Sequence, residues 1–169
     1  MPSIRDALPA DAPAITALYN AAIAQSAAVW RDVPVTVEDR RAWMAQRAAG
    51  GFPALVAETE AGVVGFAAYG PFHPFEGYRH TVENSVFVAP GLHRRGVGRA
   101  LMTPLIARAQ AAGKHAMVAG IEGANTASIR LHAALGFVEV ARLPQVGAKF
   151  GRWLDLVYML RMLDAREAP

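Results

Sequence analysis

The sequence contains no cysteine. This absence excludes a disulfide framework, a thiolate metal site and a cysteine nucleophile. No apolar run reaches the roughly 18 residues of a membrane-spanning helix, and the opening stretch MPSIRDALPADAP lacks the apolar core of a signal peptide. We therefore expect a cytoplasmic protein without a membrane segment.

Charged residues are also sparse, at 18%, whereas apolar residues make up 53% of the 169-residue chain. This balance predicts a compact globule, and the length suits a single domain spanning residues 1–169. The net charge is +3 and the pI is about 9.7. Such an excess suits a small polyanionic ligand, although a basic surface without a ligand is equally compatible with it. No long Lys/Arg run with interleaved aromatic residues indicates nucleic acid.

Strand-like and helix-like segments alternate along the chain without an internal repeat. Four helices are predicted from the signals that precede them. These signals are Asp11, the capping box of Thr36 and Asp39, the glycine-rich stretch that begins at His93, and Asn125. Hairpins at both ends predict an α/β fold with a mixed sheet. The predicted strands are SIRDA, ALVAE, VVGFAAYG, TVENSVFVA, HAMVAGI, FVEVARLP and WLDLVYMLRML.

The segment HRRGVGRALM, residues 93–102, follows the β-rich stretch SVFVAP and opens a predicted helix. A helix N-terminus presents free backbone N–H groups to an anion, and Gly96 and Gly98 remove side chains that would keep a phosphate away. The pattern therefore predicts a phosphate-binding loop. A tight turn with its arginines in solvent is the alternative.

Two familiar phosphate loops do not fit this segment. A P-loop requires a Gly-Lys-Ser/Thr ending that the chain lacks, and Leu101 occupies the third glycine position of the dinucleotide fingerprint. Pro104 lies inside the following helix. Helix formers on both sides of it predict one continuous helix that bends near Ala100–Pro104.

The stretch VFVAPGLHRRGVGRALM resembles the acyl-CoA pyrophosphate loop of the GNAT superfamily of N-acetyltransferases, with His93 where Gln or Arg is usual. NTASIRLHAALGF is similar to the second signature of that family. FEGYRHTVENSVFV, RLHAALGF and QVGAKFGRWLDLVYM narrow the resemblance to the phosphinothricin and methionine sulfoximine N-acetyltransferases. The resemblance implies a mixed, mostly antiparallel twisted sheet flanked by about four helices, and commonly a homodimer.

The resemblance also implies acetyl-CoA as co-substrate and a small free α-amino acid, or an analogue of one, as acetyl acceptor. The residues that the resemblance assigns to the cofactor are Val86, Phe87, Val88, Arg94, Arg95, Gly96, Val97, Gly98, Arg99, Asn125 and Ser128. For Asn125, a structural role as a helix N-cap is an equally good interpretation.

Glu83 is the candidate general base, since the ammonium group of an amino acid must lose a proton before it can attack a thioester. Strand alternation places Glu83, Ser85 and Phe87 on one face. A carboxylate on so apolar a strand requires a partner or a task. In the resembling family a Glu at this position lies in the substrate site. A surface ion pair with Arg79 is the alternative.

His132 is the second catalytic candidate. Many relatives carry a Tyr near the CoA sulfur at this position, whereas the phosphinothricin branch carries His. An unperturbed imidazole pKa of about 6.5 suits acid or base catalysis. An ordinary histidine on the helix surface is the alternative. The sequence shows neither an HExxH metal spacing nor a GxSxG nucleophile elbow, so we predict no metal and direct attack in a ternary complex.

Phe75, Glu76 and Gly77 match the substrate loop of the family, and Asn84 and Ser85 flank Glu83. The sequence leaves open which side chain binds the substrate carboxylate, with Trp30, Arg31, Tyr78, Arg79 and Lys149 as candidates. It also leaves open acetylation of a protein N-terminus or a polyamine, and a non-catalytic acyl-CoA sensor on the same fold.

Overall fold

The computed structural model describes residues 2–169, which form an α/β fold around one seven-stranded sheet. The strands are β1 (Ser3–Asp6), β2 (Ala54–Thr59), β3 (Gly62–Pro71), β4 (Thr81–Val88), β5 (Ala116–Glu122), β6 (Val138–Lys149) and β7 (Arg152–Met162). The helices are α1 (Ala12–Gln25), α2 (Val37–Ala49), α3 (Val97–Ala111) and α4 (Thr126–Ala134).

The strand order is β1-β2-β3-β4-β5-β7-β6, and β4 and β5 form the one parallel pair in this sheet; the other neighbours are antiparallel. The predicted mixed, mostly antiparallel sheet with about four helices is confirmed. Both predicted hairpins are present, since β2 pairs with β3 and β6 pairs with β7.

The alternating apolar residues of the strands build two cores, one on each face of the sheet. On one face α3 buries Leu101, Met102 and Leu105 against the strands. On the other, Ile15 of α1 packs with Phe66 of β3 in a smaller cluster. A strand directs successive side chains to opposite faces, so both faces of the central strands are covered. No helix of residues 2–169 has the length and apolarity needed to cross a membrane.

Local signals placed most helix ends correctly. Thr36 and Asp39 form the predicted reciprocal capping box, with Asp39 N to Thr36 Oγ1 at 3.0 Å and Thr36 N to Asp39 Oδ2 at 2.8 Å. Helix α3 is continuous through Pro104, and its predicted bend stays a prediction. Asp11 precedes α1 but does not cap it. Its carboxylate accepts from Leu8 N and Arg5 instead.

Strand β6 is longer than the predicted FVEVARLP, because it continues past Pro144 to Lys149. Proline cannot donate a ladder hydrogen bond and is therefore confined to sheet edges and bulges. Here β6 is the edge strand, and its register against β7 shifts between Leu143 and Gly147. The irregularity accommodates Pro144 without ending the strand.

Lys149, at the end of β6, holds the C-terminal end of α1. It is 4% exposed, and its Nζ donates to the carbonyl oxygens of Ile23 at 2.5 Å, Ser26 at 3.0 Å and Val29 at 2.6 Å. An ammonium group has three N–H donors, so none remains for a substrate carboxylate. Lys149 therefore fixes the chain after α1 against the sheet.

We expect Lys149→Met to lower the free energy of unfolding by about 2–4 kcal/mol, because three buried carbonyls lose a charged donor. Denaturant unfolding measures the change. Lys114→Met is the matched control, since Lys114 donates to a single carbonyl at a more exposed site. Equal effects of the two substitutions would contradict the proposed role of Lys149.

Candidate active site

The parallel ladder between β4 and β5 ends early, and the site begins where it ends. Register pairs join Thr81–Glu83 to Ala116–Val118 and go no further. Beyond them, residues 84–87 of β4 and 119–122 of β5 line the walls of a shared recess. The edge of β4 that faces β5 therefore leaves backbone N–H and C=O groups without strand partners, although β4 stays paired with β3 up to Val88.

This fork opens into a large cleft of about 860 Å³ between the end of α1 and the start of α3. Most residues predicted to bind the cofactor line it. Arg95 and Val97 do not, and the Val97 side chain lies in the core at 5% exposure. The predicted residues that line the cleft are Val86, Phe87, Val88, Arg94, Gly96, Gly98, Arg99, Asn125 and Ser128.

The glycine loop has the backbone conformation of a tight turn into a helix. Arg94 has φ 64° and Gly96, the N-cap of α3, has φ 82°. Glycine adopts this left-handed region without strain. Because Gly96 has no side chain to cap α3, the N–H groups of the first turn are available to an anion.

Gly98 lies on the wall of the cleft and also against α4. A β-carbon at Gly98 would lie 3.0 Å from Cδ2 of Leu131 and 3.9 Å from Cγ2 of Val88. A side chain there would require the end of the Leu131 side chain to shift by a few tenths of an ångström. This contact gives the glycine a packing role, and the predicted clearance for a phosphate stays a prediction.

Glu83 lies at the fork, on the sheet face that packs against α1 and α2. Its strand partner on β3 is Gly70, and a β-carbon at Gly120 of β5 would lie 3.2 Å from its Oε1. Because both neighbouring strands carry glycine, the Glu83 carboxylate can lie against Gly120 and the Arg47 guanidinium against Gly70. Tyr158 of β7, paired with Gly120, stands on the same face.

The electrostatics of Glu83 suit a proton acceptor. Burial raises the pKa of Glu83, and nearby His73 lowers it by a smaller amount. The alternative ion pair with Arg79 is not formed, since Arg79 donates to the carbonyl of Glu76. A carboxylate with a raised pKa is a stronger base near neutral pH.

His132 of α4 is buried at 2% exposure, so its interpretation as a surface histidine is wrong. Its Nδ1 lies 2.9 Å from Ser128 O, and its Nε2 lies 3.0 Å from Asn84 Oδ1. Burial lowers the pKa of His132, and the Ser128 carbonyl raises it by a smaller amount. A neutral imidazole has one N–H for these two acceptors, whereas a protonated ring would satisfy both.

Asn84 connects His132 to the sheet. Its Nδ2 donates to Val118 O at 3.0 Å, at the last parallel pair before the fork. Its side chain lies on the opposite face of β4 from Glu83, because strand residues alternate. Asn125 is the N-cap of α4, accepting from Ser128 N at 3.1 Å, and it lines the cleft as well.

The loop after β3 carries aromatic side chains towards Glu83. Phe72 contacts Tyr158 edge to face at 6.3 Å, and both His73 and Tyr78 pack on Phe72. Phe75, Glu76 and Gly77 are exposed on the same loop. Sequence reasoning missed His73, Gly70, Gly120 and Tyr158, because only strand pairing brings them to Glu83. Residues 2–169 contain no group of three His, Asp or Glu side chains able to hold a metal ion.

Comparison with known proteins agrees with this geometry. The family model described as the acetyltransferase (GNAT) family matches residues 15–137. The L-amino acid N-acyltransferase MnaT of Escherichia coli is 50% identical over 99% of this chain and 97% of its own length. The L-methionine sulfoximine/L-methionine sulfone acetyltransferase of Pseudomonas aeruginosa is 52% identical over 99% and 98%. The phosphinothricin N-acetyltransferase of Alcaligenes faecalis is 42% identical over 92% and 79%.

Solved structures give the same result. The acetyltransferase yncA of Salmonella typhimurium, determined with its cofactor acetyl-CoA, superimposes with a TM-score of 0.97 at 50% identity, covering 99% of this chain and 96% of that one. A ribosomal-protein-alanine N-acetyltransferase from Brucella melitensis superimposes with a TM-score of 0.92 at 49% identity, covering 95% and 99%.

Proposed function

The chain belongs to the GNAT family of acetyltransferases, and on that premise we propose how its site works. The site transfers acetyl from acetyl-CoA to the α-amino group of a small free amino acid or an analogue of one. The acceptor is of the methionine sulfoximine, methionine sulfone or phosphinothricin type. The observation that carries this function is the fork between β4 and β5, which opens into a cleft of cofactor size and begins at the half-buried carboxylate of Glu83.

The chain's residues fit acetyl-CoA at both ends of the cleft. The unpaired edge of Val86–Val88 can hydrogen-bond the pantetheine amides as an added strand would, and the first turn of α3 with Arg94 and Arg99 can hold the pyrophosphate. Arg95, exposed on the same loop, adds charge outside the cleft lining. Asn125 and Ser128 line the cleft and are proposed to contact the far side of CoA.

Glu83 acts as the base. Bound acetyl-CoA supplies the acetyl group as a thioester, and Glu83 takes the proton from the substrate ammonium, directly or through water, so that the amine can attack in a ternary complex. General-base catalysis of this kind contributes about 10²–10⁴-fold. Ser85 lies on the face of Glu83, two residues along β4, and is proposed as a substrate contact.

His132 and Asn84 act at the floor of the fork. His132 faces an acceptor at each ring nitrogen, and burial favours its neutral form. We assign it a relay: the neutral ring takes the proton that the attacking amine releases and gives it to the departing thiolate. The Asn84 side chain positions His132. The main chain of Asn84, next to Glu83 in β4, borders the proposed substrate site. Phe75, Glu76 and Gly77 border that site from the loop after β3.

Two other acceptors stay in competition. The similarity to a ribosomal-protein-alanine N-acetyltransferase favours a protein N-terminus, and a polyamine is the other. Both lack a free α-carboxylate, and both require an open or acidic groove. The aromatic loop around Phe72 and Tyr78 instead borders a site for a small molecule. A non-catalytic sensor would have no use for Glu83 at the fork.

The first test is a panel of acceptors with acetyl-CoA, read out by CoA release. We expect methionine sulfoximine, methionine sulfone and phosphinothricin to be acetylated with kcat/KM at least about 10²-fold above an alanine-initiated peptide or spermidine, a gap of roughly 2.7 kcal/mol. The reverse order of preference would contradict the amino-acid assignment. No turnover of any acceptor, with acetyl-CoA bound, would favour the sensor.

We expect Glu83→Gln to lower kcat by about 10²-fold or more near pH 7 and to recover part of it at high pH, where free amine is abundant. A base works only when deprotonated, and burial raises the pKa of Glu83. Wild-type kcat/KM should therefore fall as the pH drops through that raised pKa. Glu60→Gln, on an exposed turn, is the control. Wild-type turnover of Glu83→Gln at every pH would leave Glu83 a positioning role only.

We also propose a homodimer of single-domain subunits, residues 1–169, acting in the cytoplasm where acetyl-CoA is made. The β6–β7 hairpin supports the dimer. Its edge strand β6 exposes Val138, Val140 and Val146, and the adjoining Phe150 and Trp153 are 57% and 70% exposed. An apolar patch beside a free strand edge is typical of a subunit interface.

Val140→Lys should shift the protein from dimer to monomer, because a charge would enter the apolar patch. Light scattering coupled to size exclusion measures the mass. Leu8→Lys is the matched control, since Leu8 is similarly exposed at 55% but precedes α1. A monomeric wild type, or a Val140→Lys dimer as tight as wild type, would contradict this interface.

A further inference from the structure

Helix α2 presents two arginines to the sheet, one on each side of a tryptophan. The guanidinium carbon of Arg40 lies 4.8 Å from the centroid of the Trp43 ring, and that of Arg47 lies 4.2 Å from it. Arg40 also lies 4.2 Å from the Tyr19 ring of α1. These cation–π contacts orient both guanidinium groups, but an aromatic ring does not neutralise a charge.

Neither arginine has an anionic partner among residues 2–169. Arg40 is 6% exposed, and the Nε atoms of Arg40 and Arg47 are both buried without a hydrogen-bond acceptor. Burial lowers the pKa of Arg47 to about 10, and the charge of Arg40 contributes in the same direction. Arg31 adds further positive charge beside Arg40. Asp39, the one carboxylate nearby, accepts from Thr36 N.

The position of Arg47 connects this pair to the active site. A β-carbon at Gly70 would lie 3.2 Å from Nη2 of Arg47, so the guanidinium covers the space that this glycine leaves. Gly70 is the strand partner of Glu83, and paired residues of antiparallel strands share a face. Arg47 and Glu83 therefore stand on one face of the sheet, at adjacent strand positions.

We propose that Arg47, with Arg40 behind it, binds the α-carboxylate of the amino-acid substrate, an inference that rests on the proposed function because that function places the amine at Glu83. In an α-amino acid the amine and the carboxylate are bonded to one carbon, so their binding groups must be neighbours. The planar guanidinium group binds a carboxylate through two parallel hydrogen bonds. In the bound amino acid the ammonium group would face Glu83 and the carboxylate would face the arginine pair, so each charge would have a partner of opposite sign.

This subsite also selects among acceptors. A polyamine would bring more positive charge towards two uncompensated arginines, and a peptide N-terminus would offer a neutral amide where the carboxylate belongs. Both lose the charge-assisted hydrogen bonds, and the polyamine adds repulsion. The arginine pair on α2 therefore favours free amino acids over both competitors.

The test compares methionine sulfone with its α-carboxamide, which keeps the amine and the side chain but lacks the carboxylate. For the wild type we expect kcat/KM to be about 10–100-fold higher for the acid, carried mainly by KM. Arg47→Met should raise KM for the acid by a similar factor and leave the carboxamide within about threefold, with the Kd of acetyl-CoA unchanged. Arg41→Met, on the exposed side of α2 in an ion pair with Glu38, should behave as wild type.

Arg47→Lys keeps the positive charge but cannot form the two parallel hydrogen bonds of a guanidinium. It should therefore raise KM for the acid by a smaller factor than Arg47→Met does, and it should leave KM for the carboxamide unchanged. It serves as the decisive variant if thermal unfolding shows that Arg47→Met does not fold. Equal losses for acid and carboxamide in folded variants would make Arg47 a structural residue and overturn the proposal. An active wild type without preference for the acid would overturn it as well. A wild type that acetylates neither compound would instead contradict the proposed function.

Discussion

The site depends on one structural constraint: β4 and β5 are parallel strands that stay hydrogen-bonded over only three residue pairs. Each strand is held on its outer side, β4 by β3 and β5 by β7, for its whole length. The unpaired inner edges therefore remain extended and ordered although they face no strand. An unsatisfied backbone donor or acceptor is costly once buried, so these edges are well suited to a ligand that carries amides of its own.

The candidate site residues at the fork form two groups, one on each face of the sheet. On the α1–α2 face, glycines at positions 70 and 120 allow the Arg47 guanidinium and the Glu83 carboxylate to lie on neighbouring strands. On the α3–α4 face, Asn84 and His132 form a hydrogen-bonded floor with little exposure. Successive residues of one strand point to opposite faces, so Glu83 and the Asn84–His132 pair stand on opposite sides of β4.

Two cations that stabilise the fold have their hydrogen-bond partners within the chain. Lys149 uses its three donors to fix the end of α1, and Arg5 is paired with Asp11 and Glu58. Two groups of cations without a carboxylate partner lie near the fork, the arginines of the exposed glycine loop and the α2 pair beside Gly70. One group lies at the large cleft, and the other stands next to Glu83.

Much of the fold was determined by local sequence. Capping residues, glycine stops and strand alternation predicted the helices, both hairpins and the face of Glu83, because these signals act over a few residues. Most residues that the resemblance assigned to the cofactor line the large cleft. Local sequence did not reveal that β6 continues past Pro144, that Gly98 makes room for Leu131, or that Arg47 reaches Gly70. Those features depend on which strand is an edge and which helix lies opposite, and contacts between residues far apart in the chain are decided only when the sheet is assembled.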